Sequence, residues 1–211
     1  VDLAAGGAHA CVALASGGFQ CWGESSNGRL GDDVAFRLTD VTAVEAGGAH
    51  SCALRSGGAL SCWGANSLGQ LGIGNTADSV VAVEVLSTGV TAVSASLGGS
   101  VCAIVHGALA CWGVNDAGQF GNGTQTSSSS PTAIGATAGI RGLAAGDGFT
   151  CMIDALRRVR CWGVNYEEQL GIGFLSEPLT AVPSADAGAW FVEFARSPLF
   201  NDADGDGCED P

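Results

Sequence analysis

The sequence predicts an all-β fold built from four short units in a row, and three observations carry that reading. A stretch Ala-Gly-Gly-Ala-His-x-Cys begins at Ala5 and again at Ala46, with looser copies leading to Cys102 and Cys151. A Cys-Trp-Gly follows each one nine or ten residues later, at Cys21, Cys62, Cys111 and Cys161. Successive first cysteines (Cys11, Cys52, Cys102, Cys151) are 41, 50 and 49 residues apart, and periods of about 40–50 residues belong to propellers or solenoids. No segment sustains a helical period with caps at its ends.

Within a unit the elements follow in order. His50-Ser-Cys52-Ala-Leu54 alternates, which places His50, Cys52 and Leu54 on one face of a strand. Ser56-Gly57-Gly58 then makes a three-residue turn whose last position needs a positive φ, and Ala59 to Trp63 returns as the second strand. In the third unit His106-Gly107 shortens the turn to two residues. A turn-rich block closes each unit: Asn66 to Gly72, Asn115 to Gly121 and Asn165 to Gly171 read Asn-x-x-Gly/Glu-Gln-Leu/Phe-Gly. The first unit reads Ser26-Asn27-Gly28-Arg29-Leu30-Gly31 instead. The four tryptophans Trp22, Trp63, Trp112 and Trp162 fall on the strand face opposite the cysteines, a position for packing between units.

The Ala-Gly-Gly-x-His-x-Cys-Ala-Leu strand and the Cys-Trp-Gly-x-Asn-x-x-Gly-Gln-Leu-Gly block resemble the repeats of the regulator of chromosome condensation family, in a cysteine-bearing form. The resemblance covers about residues 1–182. It implies a β-propeller with one four-stranded blade per repeat, usually seven in a closed ring, that binds proteins through its face and its blade-joining loops. Four repeats imply an incomplete ring or arc. The corresponding blades are 1–40, 41–89, 90–139 and 140–182. Residues 183–200 read as a degenerate half-blade or cap, in which Trp190 replaces the repeat histidine and Val192 the cysteine, and 201–211 as an acidic tail.

Pairing the second unit across its turn sets Leu54 against Leu60 and Cys52 against Cys62. The shorter third turn keeps Cys102 opposite Cys111, so the turn changes length and the opposition survives. Directly opposed residues lie about 4.5–5.5 Å apart, within disulfide reach. The expected bridges are Cys11–Cys21, Cys52–Cys62, Cys102–Cys111 and Cys151–Cys161, with buried free thiols or a metal site as alternatives. Zinc wants closely spaced Cys/His pairs, and the sequence has none. Bridges place the protein outside a reducing cytosol, so the expected location is extracellular or at the cell surface. Val1 falls at the start of a repeat, as in a processed segment whose signal peptide has been removed.

Composition narrows the function. A hydrophobic fraction of 46% against 14% charged residues excludes an acid-rich disordered chain, and the apolar residues are interrupted too often to make a membrane span. The net charge of −13 repels a phosphate backbone and argues against nucleic acid as partner. No nucleophile elbow, phosphate loop or clustered catalytic set appears, so no enzyme is expected. His9 and His50 read as structural, because Ser100 and Phe149 occupy the equivalent positions. Arg157, Arg158 and Arg160 form the one basic cluster, and Asn122-Gly123-Thr124 is a glycosylation sequon in form.

The tail carries the single metal expectation. Asp202, Asp204, Asp206, Cys208 and Asp210 match the opening positions of a calcium loop, resembling thrombospondin type 3 and dockerin modules. An acidic tail without metal is the alternative. Cys208 is the ninth, unpaired cysteine. Calcium is therefore expected only at the tail and no cofactor on the propeller. The expected function is a non-catalytic protein-interaction module of a secreted or cell-surface protein. The alternative is a structural subunit that assembles with copies of itself into a ring or filament.

Overall fold

The computed structural model describes residues 1–31, 38–135 and 139–171. These form four antiparallel sheets in chain order. The first holds β1 (Asp2–Ala5), β2 (His9–Ala13) and β3 (Phe19–Gly23). The second holds β4 (Val41–Ala46), β5 (His50–Arg55), β6 (Leu60–Gly64) and β7 (Ser79–Leu86). The third holds β8 (Val90–Ala95), β9 (Ser100–Val105), β10 (Ala108–Gly113) and β11 (Ser128–Ile134). The fourth holds β12 (Gly142–Ala145), β13 (Phe149–Ile153) and β14 (Val159–Gly163). Among the described residues the one helical element is a single 3₁₀ turn at Ser26–Gly28.

Strands within each sheet run in sequence order, so every connection is local and each sheet is one blade of an all-β propeller arc. The repeat's β-branched and small residues suit the pleat, and glycine-containing turns end each strand. Gly58 takes φ 76° in the three-residue turn after β5. His106 and Gly107 take φ 51° and 80°, the two positive angles of a type I′ turn, whose twist matches a two-residue hairpin.

The core sits between blades, not within them. Cys11, Ala13, Phe19 and Cys21 of the first blade pack against Val44, Ala53 and Trp63 of the second. Cys52, Leu54, Leu60 and Cys62 of the second pack against Val93, Val101, Ala103 and Trp112 of the third. Cys102, Leu109 and Cys111 of the third meet Leu143 and Trp162 of the fourth. Each blade therefore presents a cysteine face forward along the chain and a tryptophan face backward. The two-residue period of a strand separates these faces.

Candidate functional site

The hairpins carry the cysteines to one another. Cys11↔Cys21, Cys52↔Cys62, Cys102↔Cys111 and Cys151↔Cys161 are directly paired in register. All four are bonded, with Cα–Cα distances of 4.0–4.1 Å. The second and third bridges are fully buried, whereas Cys151 and Cys161 are half-buried at the end of the arc.

The tryptophans lock each blade to the block of the blade before it. Trp63 donates its indole N–H to the Arg29 carbonyl at 2.9 Å, Trp112 to Gln70 at 3.0 Å and Trp162 to Gln119 at 2.9 Å. The ring lies over the glycine that ends the block. A Cβ at Gly72 would stand 2.7 Å from Trp112 Nε1, and one at Gly121 equally close to Trp162 Nε1. Ser51 Oγ and Thr150 Oγ1 donate to the same Arg29 and Gln119 carbonyls. Trp63 and Trp112 are completely buried, but Trp22, on the first of the described blades, is 48% exposed. Sequence placed all four tryptophans between blades; three lie there and Trp22 faces solvent.

The block asparagines are clamps. Asn66 donates through Nδ2 to the carbonyls of Asn75 and Ala77, and its Oδ1 accepts from Leu71 N–H. Asn115 does the same with Thr124, Thr126 and Phe120. Each clamp ties the block to the segment leading into an outer strand, β7 or β11. Ser25 holds this position in the first unit.

A polar group lies where the first two blades meet. His9 Nε2 is 2.8 Å from Ser51 Oγ, and its pKa is lowered by burial and by the Arg29 guanidinium. His50 is fully buried with neither ring nitrogen hydrogen-bonded, and burial holds its pKa down at about 4. Arg29 stands in the glutamine place of the block. It is buried, donates to Ser26 and Gly48 oxygens, and pairs with Glu24 at 2.8 Å. The departure Gly28-Arg29-Leu30 was the one sequence signal for this cation. Glu45 accepts from the Ala95 N–H of the next blade, and burial pushes its pKa up to about 7. Nothing in the sequence marked that carboxyl.

The other candidates resolve simply. Arg158 and Arg160 both reach Asp154, at 2.8 and 3.2 Å, in the turn before β14. Burial would raise the Asp154 pKa, but the Arg158 N–H and guanidinium together with Leu156 N–H outweigh it and hold it at about 2. Asn122 Oδ1 accepts from the Thr124 N–H and hydroxyl. Among the described residues no three His, Cys, Asp or Glu side chains stand close enough to hold a metal. The calcium candidates Asp202, Asp204, Asp206, Cys208 and Asp210, and the 183–200 segment, lie outside the described residues. No helix among the described residues is long and apolar enough to cross a membrane.

Antiparallel order puts the turns between first and second strands at the same end of the arc as the blocks. At this end Leu68 and Leu97 are exposed by 49% and 54%, and the Leu68 side chain lies close to Gly99, two residues beyond Leu97. A cleft of about 550 Å³ opens on the first blade, lined by Phe19, Cys21, Leu30, Gly31 and Leu38 among others.

Comparison with known proteins agrees with this architecture. The family model described as Regulator of chromosome condensation (RCC1) repeat matches residues 41–70 and again 106–153. Among solved structures the chain is similar to Prp20p from Saccharomyces cerevisiae, at 19% identity and a TM-score of 0.75, over 86% of this chain and 49% of that one. It is similar to human WBSCR16 at 22% identity and 0.67, over 77% and 46%. It also resembles yeast RCC1 (Prp20) as bound to Kap60, at 16% and 0.66, over 83% and 47%. The chain thus spans about half the length of the solved structures it matches, and these likenesses show the fold. No curated protein matches it.

Proposed function

This is a chain of regulator of chromosome condensation repeats, and on that premise we propose that it is a non-catalytic protein-interaction module of a secreted or cell-surface propeller protein. The observation that carries the reading is the division of labour in the second and third blades. Disulfide hairpins, tryptophan locks and asparagine clamps hold a rigid frame, while the blocks and first turns project together at one end with Leu68 and Leu97 exposed. Exposed apolar side chains beside polar loops on a rigid scaffold suit contact with another protein. Prp20p, of the same fold, was described with its binding to Gsp1p and histones. The acidic balance here points away from nucleic acid. Four cystines support an oxidising location. Calcium at the tail remains a proposal from sequence alone.

Chemical cross-linking in the extracellular fraction of the source cells tests this, comparing the native chain with a Leu68→Asp, Leu97→Asp variant. Cross-linked partners that the variant loses support the reading. Recovery of the natural protein with reduced thiols inside the cell, or partners held equally by both forms, would count against it.

A further inference from the structure

The end of the arc that carries Leu68 and Leu97 is charged in one sense. Among the described residues, Arg55, Arg141, Arg157, Arg158 and Arg160 all lie at the opposite end. They sit at the end of β5, just before β12, and in or beside the turn between β13 and β14. There they are answered locally: Arg158 and Arg160 by Asp154, Arg55 by the Thr39 carbonyl and Arg141 by the Ala155 carbonyl. Arg29 is the one described arginine at the block end, where it is buried and paired with Glu24. The same end displays Asp116, Asp147, Glu167 and Glu168, all exposed. None of these four carboxylates forms an ion pair among the described residues.

Two glycines bring the apolar and acidic groups together. The first turns are tied from blade to blade, Gly7 N–H donating to the Gly47 carbonyl at 3.1 Å and Gly48 N–H to the Ser96 carbonyl at 3.3 Å. In the third blade this turn carries Leu97, followed by Gly98 and Gly99. A Cβ on Gly99 would stand 3.1 Å from Leu68 Cδ1, and one on Gly98 would stand 2.7 Å from Asp147 Oδ1. Leu68 therefore lies against one glycine and the Asp147 carboxylate against the next. Gly98 is itself exposed, so the backbone between these side chains is an open shelf. Asp116 is held nearby by the block of the third blade, where Asn115 makes its clamp and Asp116 Oδ1 accepts from Gln119. Glu167 and Glu168 continue the acids along the arc.

We propose that this shelf binds a basic segment of a partner protein, an apolar side chain of the segment seated against Leu68 and Leu97 and its arginines or lysines on Asp147 and Asp116. The inference rests on the protein-interaction reading and names the chemistry of the partner. Charge decides the occupant. An acidic segment would set like charge against like, and a phosphate backbone would do the same. The remainder of this chain supplies no such segment, because Arg37 and Arg196 are the only bases outside the described residues. The two kinds of group have separate tasks. Apolar anchors supply most of the holding energy, whereas carboxylates at their rim steer the partner and select its sign.

Fluorescence anisotropy with the oxidised 1–211 chain tests this on three labelled peptides of equal length. One carries leucines among arginines, one has glutamate in place of arginine, and one has serine in place of leucine. The leucine–arginine peptide should bind best, and less tightly as salt is raised. Asp116→Asn with Asp147→Asn should weaken it ~5-fold, the scale of two exposed ion pairs. Leu68→Asp should weaken it ~10-fold or more, the scale of an apolar anchor. Asp40→Asn with Glu84→Gln changes net charge equally but away from the shelf, and should leave binding as it was. All five side chains are exposed, so every variant should keep four disulfides by mass. Equal weakening by the two charge pairs would mean attraction to net charge alone and overturns the shelf, as does no binding of the basic peptide up to ~1 mM. A glutamate peptide that binds as well, and is lost in Leu68→Asp, overturns the basic partner but leaves the interaction face standing. Binding untouched by Leu68→Asp counts against the face itself. Self-association of the chain in light scattering, abolished by the Asp116 and Asp147 substitutions, would put a second copy on the shelf and overturn the proposal.

Discussion

Acid and base should pull on this protein from opposite sides, and replacing His50 with phenylalanine isolates one of them. His50 is buried with both ring nitrogens unpaired, and its pKa falls from 6.5 to about 4. It faces His9, whose positive form would repel it further. As pH falls from 6.5 towards 4, the unfolded chain takes up a proton that the folded chain refuses, so stability is lost. The full gap corresponds to roughly 3 kcal/mol. Glu45 works the other way. Its folded pKa of about 7 lies above its ordinary 4.5, raised by burial and by Asp2 against the Ala95 N–H. Its contribution is complete below 4.5 and lost as pH rises through 7. Between about 4.5 and 6.5 the two slopes oppose each other, and the native protein should look nearly flat from these groups. Phenylalanine suits position 50 because Phe149 fills the same place in the fourth blade, its ring against Gly146 as the His50 ring lies against Gly47. Urea unfolding of His50→Phe and the native chain across pH 4–8 should show a difference that grows by roughly 3 kcal/mol towards the acid end. A difference that stays constant with pH would refute the reasoning, because His50 would then titrate alike in both states.

Reductant should open the bridges in order of exposure. Timed alkylation with mass mapping should find Cys151–Cys161 reduced first and Cys52–Cys62 and Cys102–Cys111 last, since both cysteines of the first are partly exposed, Cys21 alone is so in Cys11–Cys21, and the last four are fully buried; simultaneous loss of all four would contradict this. Asn66→Ala removes two carbonyl partners and one N–H acceptor from a fully buried site, so denaturant unfolding should show a loss of about 3 kcal/mol or more. A loss under ~1 kcal/mol would mean that the loop relaxes around the gap. For the tail, calorimetric titration of calcium should give weak binding, on the order of 10⁻⁴–10⁻³ M, that Asp204→Ala, Asp206→Ala removes; equal heats from both chains would leave 201–211 as plain acidic tail.

The sequence by itself determined whatever depends on local order. The four hairpins, their registers and their cystines follow from alternation and turn length, because an antiparallel pair closed by a short turn has one way to oppose its residues. The Cys52–Cys62 and Cys102–Cys111 bridges were legible even though their turns differ by one residue. The opposite facing of cysteine and tryptophan was legible too, because a strand's side chains alternate. The structure alone decided what each face meets. A tryptophan's acceptor is a backbone carbonyl some 34 to 43 residues earlier, and a main-chain oxygen leaves no mark on residue type. Glu45 resembles any surface acid until the next blade covers it. His50 and His9 occupy the same repeat position, yet only His9 finds a hydroxyl, because the next blade offers Ser51 to one and Val101 to the other. Burial and partnership at a blade joint are properties of two faces brought together, and one strand's pattern records only its own.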